Sequence, residues 1–171
     1  MTLITWNGQA QSQFLAVETA EALAAAEGPV IVPLALARAA LDGRRNAPLG
    51  LLVANDASPD DIAPFFDKVE LIAIAFPSFS DGRGLSLARK LRRAGFTGRL
   101  RASGPVIADQ FADCLACGFD EVDLPEGVAA RQPMEQWLKA RSTVTSHYQT
   151  GYAHGASILE QRRAGRGGAS S

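Results

Sequence analysis

Short apolar runs alternate with stretches of helical periodicity along this chain. Val30 to Leu34 (VIVPL), Leu49 to Ala54 (LGLLVA) and Glu70 to Phe76 (ELIAIAF) are the first three runs. Arg99 to Ser103 (RLRAS) and Asp120 to Leu124 (DEVDL) are the fourth and fifth. Near-continuous apolar runs such as the second and third suit strands buried on both faces, which is how parallel sheets read. The fourth is a weaker strand signal because it alternates polar and apolar residues.

The intervening segments carry helix signals. Ser58-Pro59-Asp60-Asp61 offers an N-cap, a proline at the first helical position and acids in the first turn. Ile62, Phe65, Phe66 and Val69 then follow at i, i+3, i+4 and i+7. From Gly84 to Ala94, Leu87, Leu91 and Ala94 share one face, Arg89, Lys90, Arg92 and Arg93 occupy the other, and Gly95 closes the helix. A third helix is predicted from near Pro105 to Gly118, burying Ile107, Phe111 and Leu115. Gln9 to Ala26, on its alanine content, and Pro133 to Arg141 are further helix candidates.

This alternation predicts an α/β fold: a mainly parallel sheet of about five strands with flanking helices, built from right-handed βαβ units. An open doubly wound sheet and a partial barrel both fit, because 171 residues fall short of the ~250 of a full eightfold barrel. There is no internal repeat. Residues 1–160 read as a single domain and 161–171 as a disordered tail, with a helix or arm near Gly155 to Arg163 placed to dock on a partner chain.

Composition narrows the function classes. The chain is 47% hydrophobic and 20% charged, too apolar for a disordered protein, and two cysteines are too few for a disulfide scaffold. No apolar run approaches the ~18 residues of a membrane span. A net charge of −1 argues against nucleic-acid or anionic-membrane binding. Met1 to Gln11 has neither a basic region nor an apolar core, so no signal peptide is expected and the expected compartment is the cytoplasm.

Ligands of parallel α/β sheets bind outside the carboxyl ends of the strands. That rule selects Pro77-Ser78-Phe79-Ser80-Asp81-Gly82-Arg83-Gly84, between the third run and its helix. As a ligand site, the backbone N–H groups of Gly82 and Gly84 would hold an anion, Ser78, Ser80 and Ser86 would add hydroxyls, and Arg83 a charge. Arg101, Gly104, Asp109 and Gln110, around the end of the fourth run, would line the same cleft. As a structural turn, Asp81 caps the helix, the glycines adopt positive φ and Arg83 is solvated. The pattern is neither GxGxxG nor a P-loop. Asp81 and Asp109, with Asp56 behind them, are the acid/base candidates; no G-x-S-x-G elbow accompanies them.

Cys114-Leu115-Ala116-Cys117 spells C-x-x-C, but near a helix C-terminus, where the dipole raises a thiol pKa; two small core-facing residues are expected. His147 and His154 (H-x6-H) fall outside the usual zinc spacing, and no metal site is expected. Trp6 and Trp137 read as packing residues.

The segment Phe76-Pro77-Ser78-Phe79-Ser80-Asp81-Gly82-Arg83-Gly84-Leu85-Ser86, then Ala88-Arg89 and Leu91-Arg92, resembles the bacterial family named domain of unknown function 934, often labelled "probable oxidoreductase". Gly98-Arg99-Leu100-Arg101-Ala102, Gly104, Val106, Asp109-Gln110 and Cys117-Gly118-Phe119-Asp120 continue the likeness, as do Pro59-Asp60-Asp61 and Ser146-His147-Tyr148-Gln149. It covers about residues 45–150, and its F-P-x-F-x-D-G-R-G core is specific. The chain departs from the pattern at Pro105, where an Asp is usual, at Ala108, where a basic residue is usual, and at Leu85, in place of a common aromatic.

The resemblance implies a companion of assimilatory sulfate reduction, encoded beside sulfite reductase. The expectation is therefore an accessory protein that binds a small anion or the reductase itself at residues 77–84. A small α/β enzyme using Asp81 or Asp109, or a bound cofactor, is the alternative, and an interaction module or homo-oligomer a third. No flavin, nicotinamide or cluster-binding fingerprint identifies a cofactor.

Overall fold

The computed structural model of the protein describes residues 1–43 and 46–143. The predicted tail, with its arm near Gly155 to Arg163 and both histidines, lies outside the described residues. Among these the strands are β1 (Thr2–Thr5), β2 (Gly8–Ala10), β3 (Leu15–Ala16), β4 (Val30–Pro33), β5 (Leu49–Val53), β6 (Leu71–Ala75), β7 (Arg99–Ser103) and β8 (Glu121–Leu124). The helices are α1 (Ala20–Ala25), α2 (Ala37–Asp42), α3 (Pro59–Ile62), α4 (Arg83–Arg93), α5 (Phe111–Cys117), α6 (Glu126–Ala129) and α7 (Met134–Arg141).

All five predicted runs are strands, β4 to β8, but the sheet has eight strands rather than about five. Its order is β2-β1-β8-β7-β6-β5-β4-β3. Strands β3 to β8 are parallel and consecutive, and β1 joins β8 antiparallel. Consecutive order has no reversal point, so right-handed crossovers keep the helices on one face. Of the two architectures the sequence left open, the sheet is therefore a curled, open half-barrel.

A short connection demonstrates the curl. Strands β2 and β3 lie at opposite edges of the sheet, yet only Gln11–Phe14 connects them. Five residue steps reach at most ~18 Å, whereas the eight strands would spread the edges ~34 Å apart in a flat sheet. The strap crosses the concave side, where Phe14 packs with Ile31 and Leu71. Helix-facing positions such as Val32, Leu51, Ile72, Ile74, Leu100 and Val122 form the main core with Leu23, Leu87, Leu91, Phe111 and Trp137. Strand β6 is buried on both sides from Leu71 to Ile74, which is why its run reads as continuously apolar.

The predicted helix Gln9–Ala26 is corrected by β2 and β3; only its last third, α1, is helical. Alanine content favours helix weakly, and sheet pairing plus burial of Phe14 and Val17 outweigh it. The helix after Ser58 is interrupted: α3 passes into a 3-10 turn, Ala63–Phe65, that contains Pro64. Its apolar face is nevertheless buried through Ile62, Phe65 and Val69. The helix expected from Pro105 begins later, as a 3-10 turn at Ala108–Gln110 leading into α5, and ends at Gly118 in the left-handed conformation, φ 105°. None of the described helices is long and apolar enough to cross a membrane.

Candidate functional site

The loop after β6 leaves the carboxyl end of the sheet at Phe76, whose N–H donates to Ser103 O at 2.7 Å. Two glycines are fixed by that aromatic residue. A Cβ on Gly84 would fall 2.5 Å from the Phe76 ring, and one on Gly104, at φ +141°, would fall 2.1 Å from Phe76 O. Gly82, at φ −75°, is the N-cap of α4, with open space around it. The positive φ expected at Gly82 and Gly84 is thus absent; close approach to Phe76 explains Gly84.

The loop binds itself. Ser78 and Ser80 hydroxyls lie 2.9 Å apart, Ser80 N–H donates to Ser78 Oγ, and Asp81 N–H to Ser78 O. Arg83 grips Asp81 with a two-pronged fork, Nη2 to Oδ2 at 2.6 Å and Nε to Oδ1 at 3.0 Å, while Arg83 N–H donates to Asp81 Oδ1 at 3.1 Å. Asp81 therefore satisfies the first N–H of α4, as the turn reading expected, but Arg83 is paired rather than simply solvated. These contacts, with a weaker approach from the Asn55 amide, hold the Asp81 carboxyl well below the usual carboxylate range. Asn55 is buried, and its Nδ2 meets no acceptor at full hydrogen-bond geometry. Asp56, beyond β5, stands 3.9 Å from Arg83 Nη1.

Gln110 ties this loop to the next strand end: its Nε2 donates to Phe79 O, and its Oε1 accepts from Ile107 N–H. Ser86 and Asp109 are exposed. Phe79 itself is 54% exposed at the loop's tip, and sequence reading passed over it. Of the predicted cleft, Ser78, Ser80, Asp81, Gly82, Arg83, Gly84 and Gln110 come together, with Gly104 beneath Phe76.

Arg101 lies elsewhere. It is 2% exposed on the concave side of β7, where its Nε donates to Glu121 at 2.8 Å and its Nη1 to Ser12 of the strap at 3.0 Å; Asp123 stands 3.9 Å away. The Phe14 ring covers Arg99 and Arg101. Burial pushes the Asp123 carboxyl up, against the pull of Arg101. The sequence reading missed Glu121 and Asp123. Their signal was the shared two-residue phase of RLRAS and DEVDL, which puts Arg99, Arg101, Glu121 and Asp123 on one face of adjacent strands.

Cys114 and Cys117 are free and buried, as their place on the core face of α5 predicts, and burial raises both thiols above their ordinary range. Among the described residues no three His, Cys, Asp or Glu side chains are grouped to hold a metal ion. Trp137 packs edge-on against Phe111 at 5.4 Å.

Fold and loop together define a half-barrel α/β protein with a self-bonded, aromatic-tipped loop at its strand ends. Residues 50–159 match the family described as "Bacterial protein of unknown function (DUF934)", and the chain belongs to that family. Neither a curated protein nor a solved structure matches it.

Proposed function

We propose that this protein is a non-catalytic accessory protein of assimilatory sulfite reduction that docks sulfite reductase through the loop 77–84. The pathway rests on the family resemblance. The docking role rests on one observation: a loop whose polar groups are mutually bonded holds a large aromatic side chain, Phe79, out in solvent. An aromatic anchor on a rigid support loses little entropy on association, and aromatic and Arg side chains dominate interface hot spots.

Two other uses of the loop fit less well. A small anion would need a free cation, but the Arg83 fork is filled by Asp81, and with Asp56 the cluster carries a net negative charge. General acid/base catalysis works best with a pKa near the operating pH, whereas Asp81 is held well below it.

Biolayer interferometry against assimilatory sulfite reductase tests the reading. The parent protein should bind, and Phe79→Ser should weaken binding about 30-fold, as loss of a ~2 kcal/mol hot spot requires, with Tm unchanged. No association, or equal affinity of parent and variant, would overturn it. Saturable sulfite binding that Arg83→Ala abolishes would put the anion reading in its place.

A further inference from the structure

A second polar groove lies at the opposite end of the sheet, where β5 and β6 begin. It has a volume of about 250 Å³, room for on the order of eight water molecules at ~30 Å³ each. Leu41, Pro48 and Leu49 give it apolar lining, and Asn46, Lys68 and Glu70 line it as well. Lys68 and Glu70 make no ion pair with each other, and neither head group has a charged partner among the described residues. Their backbones are fixed: Lys68 N–H donates to Phe65 O, and Glu70 pairs with Leu49 on one side and Arg99 on the other.

We infer that this groove binds a small α-amino acid with an apolar side chain. Two opposite charges on one small cavity, neither paired among the described residues, are complementary to a zwitterion. Lys68, with the Asn46 amide, would take the carboxylate. Glu70 would take the ammonium, and Leu41 sits in the last turn of α2, whose carbonyl end also favours a cation. The apolar surface of Leu41, Pro48 and Leu49 would cover a short aliphatic side chain. A simple anion or a simple amine would meet one charge of matching sign and one that repels it. This site is independent of the loop 77–84, and the docking proposal can fail without affecting it.

The test is an NMR titration of the full chain with L-valine, N-acetyl-L-valine, which lacks the ammonium, and L-valinamide, which lacks the carboxylate. Valine should shift the amides of Leu41, Leu49 and Glu70 saturably, and each blocked analogue should bind at least tenfold more weakly. Lys68→Gln and Glu70→Gln replace exposed side chains, so each should keep the parent Tm and lose at least tenfold in valine affinity. No saturable shift at millimolar valine overturns the proposal. So does equal binding of either blocked analogue, which would define a plain cation or anion site, or full affinity in both variants.

Discussion

Arg92 and Asp120 meet at 2.8 Å across 28 positions of sequence and join the end of α4 to the start of β8. The Arg92 guanidinium also donates to the carbonyls of Phe96, Gly98 and Gly118, and Asp120 Oδ2 also accepts from the Leu100 N–H. One nearly buried cation thus satisfies three carbonyls that turns and a helix end would otherwise leave unpaired. The basic face read along α4 was therefore only partly solvated: Arg92 turns inward while Lys90 and Arg93 stay exposed.

Removing Arg92 should be among the most damaging single changes in the protein. Arg92→Ala removes the guanidinium donor from Asp120 and from three carbonyls, and breaking such a buried pair costs about 3–5 kcal/mol. Arg92→Lys should recover little, because one ammonium cannot replace the planar fork at several acceptors. Asp120→Asn retains a carbonyl acceptor for Leu100 N–H and should cost about 1–3 kcal/mol. Urea unfolding midpoints at constant m-value check all three.

The loop glycines should separate sharply. Gly104→Ala puts a methyl 2.1 Å from the Phe76 carbonyl at φ +141°, and Gly84→Ala puts one 2.5 Å from the Phe76 ring. Both should lower Tm markedly, Gly104→Ala more, because backbone yields less than a side chain. Gly82→Ala meets open space and should cost within about 1 kcal/mol, the preference for Gly over Ala at an N-cap. Equal tolerance at all three positions would mean that Phe76 does not set the course of the chain.

Strands β5 and β6 were legible because burial on both faces writes an unbroken apolar run. Strands β1 to β3 were not, since two to four residues carry little pattern and their pairing is decided by β8 and β4. The strand-end rule located the loop 77–84. It did not show how Arg83 would be used, because a pair two residues apart depends on the turn that folds Arg83 back onto Asp81. Nor did it separate Arg101 from that loop: strand alternation placed Arg101 on a face, but only the curl of the sheet and the strap at Ser12 and Phe14 buried it there.

Two carboxylates should tilt the pH dependence in opposite directions. Burial raises Asp123 above its ordinary 3.8, so the folded state holds this proton more tightly than the unfolded chain. Its contribution to stability is present below that value and is lost as pH rises through the folded pKa. Asp123→Asn should therefore be more stable than the parent at neutral pH, with the advantage shrinking on acidification. Asp81 is lowered by Arg83, so its contribution is present above the ordinary carboxylate range and is lost as pH falls through the lowered value. Asp81→Asn should lose stability at neutral pH, less so in high salt because the Arg83 fork is exposed. Tm measured against pH for both variants gives the two signs.

The rigidity of the loop can be tested apart from any partner. Gln110 holds Phe79 O with its Nε2 and takes Ile107 N–H on its Oε1, so Gln110→Ala cuts a side-chain bridge that links Phe79 to the turn before α5. Losing two such bonds at the protein surface should cost about 1–2 kcal/mol. The sharper effect should be local: amide exchange at Ser80 and Asp81 should accelerate, while α5 beyond its first turn keeps its protection. If Phe79 is the anchor, the variant should also bind sulfite reductase more weakly, because ordering of the loop would then accompany association. Unchanged exchange at Ser80 and Asp81 would assign the loop's order to the Ser78–Ser80 contact and the Asp81–Arg83 fork. Arg83→Ala should then be the variant that loosens it.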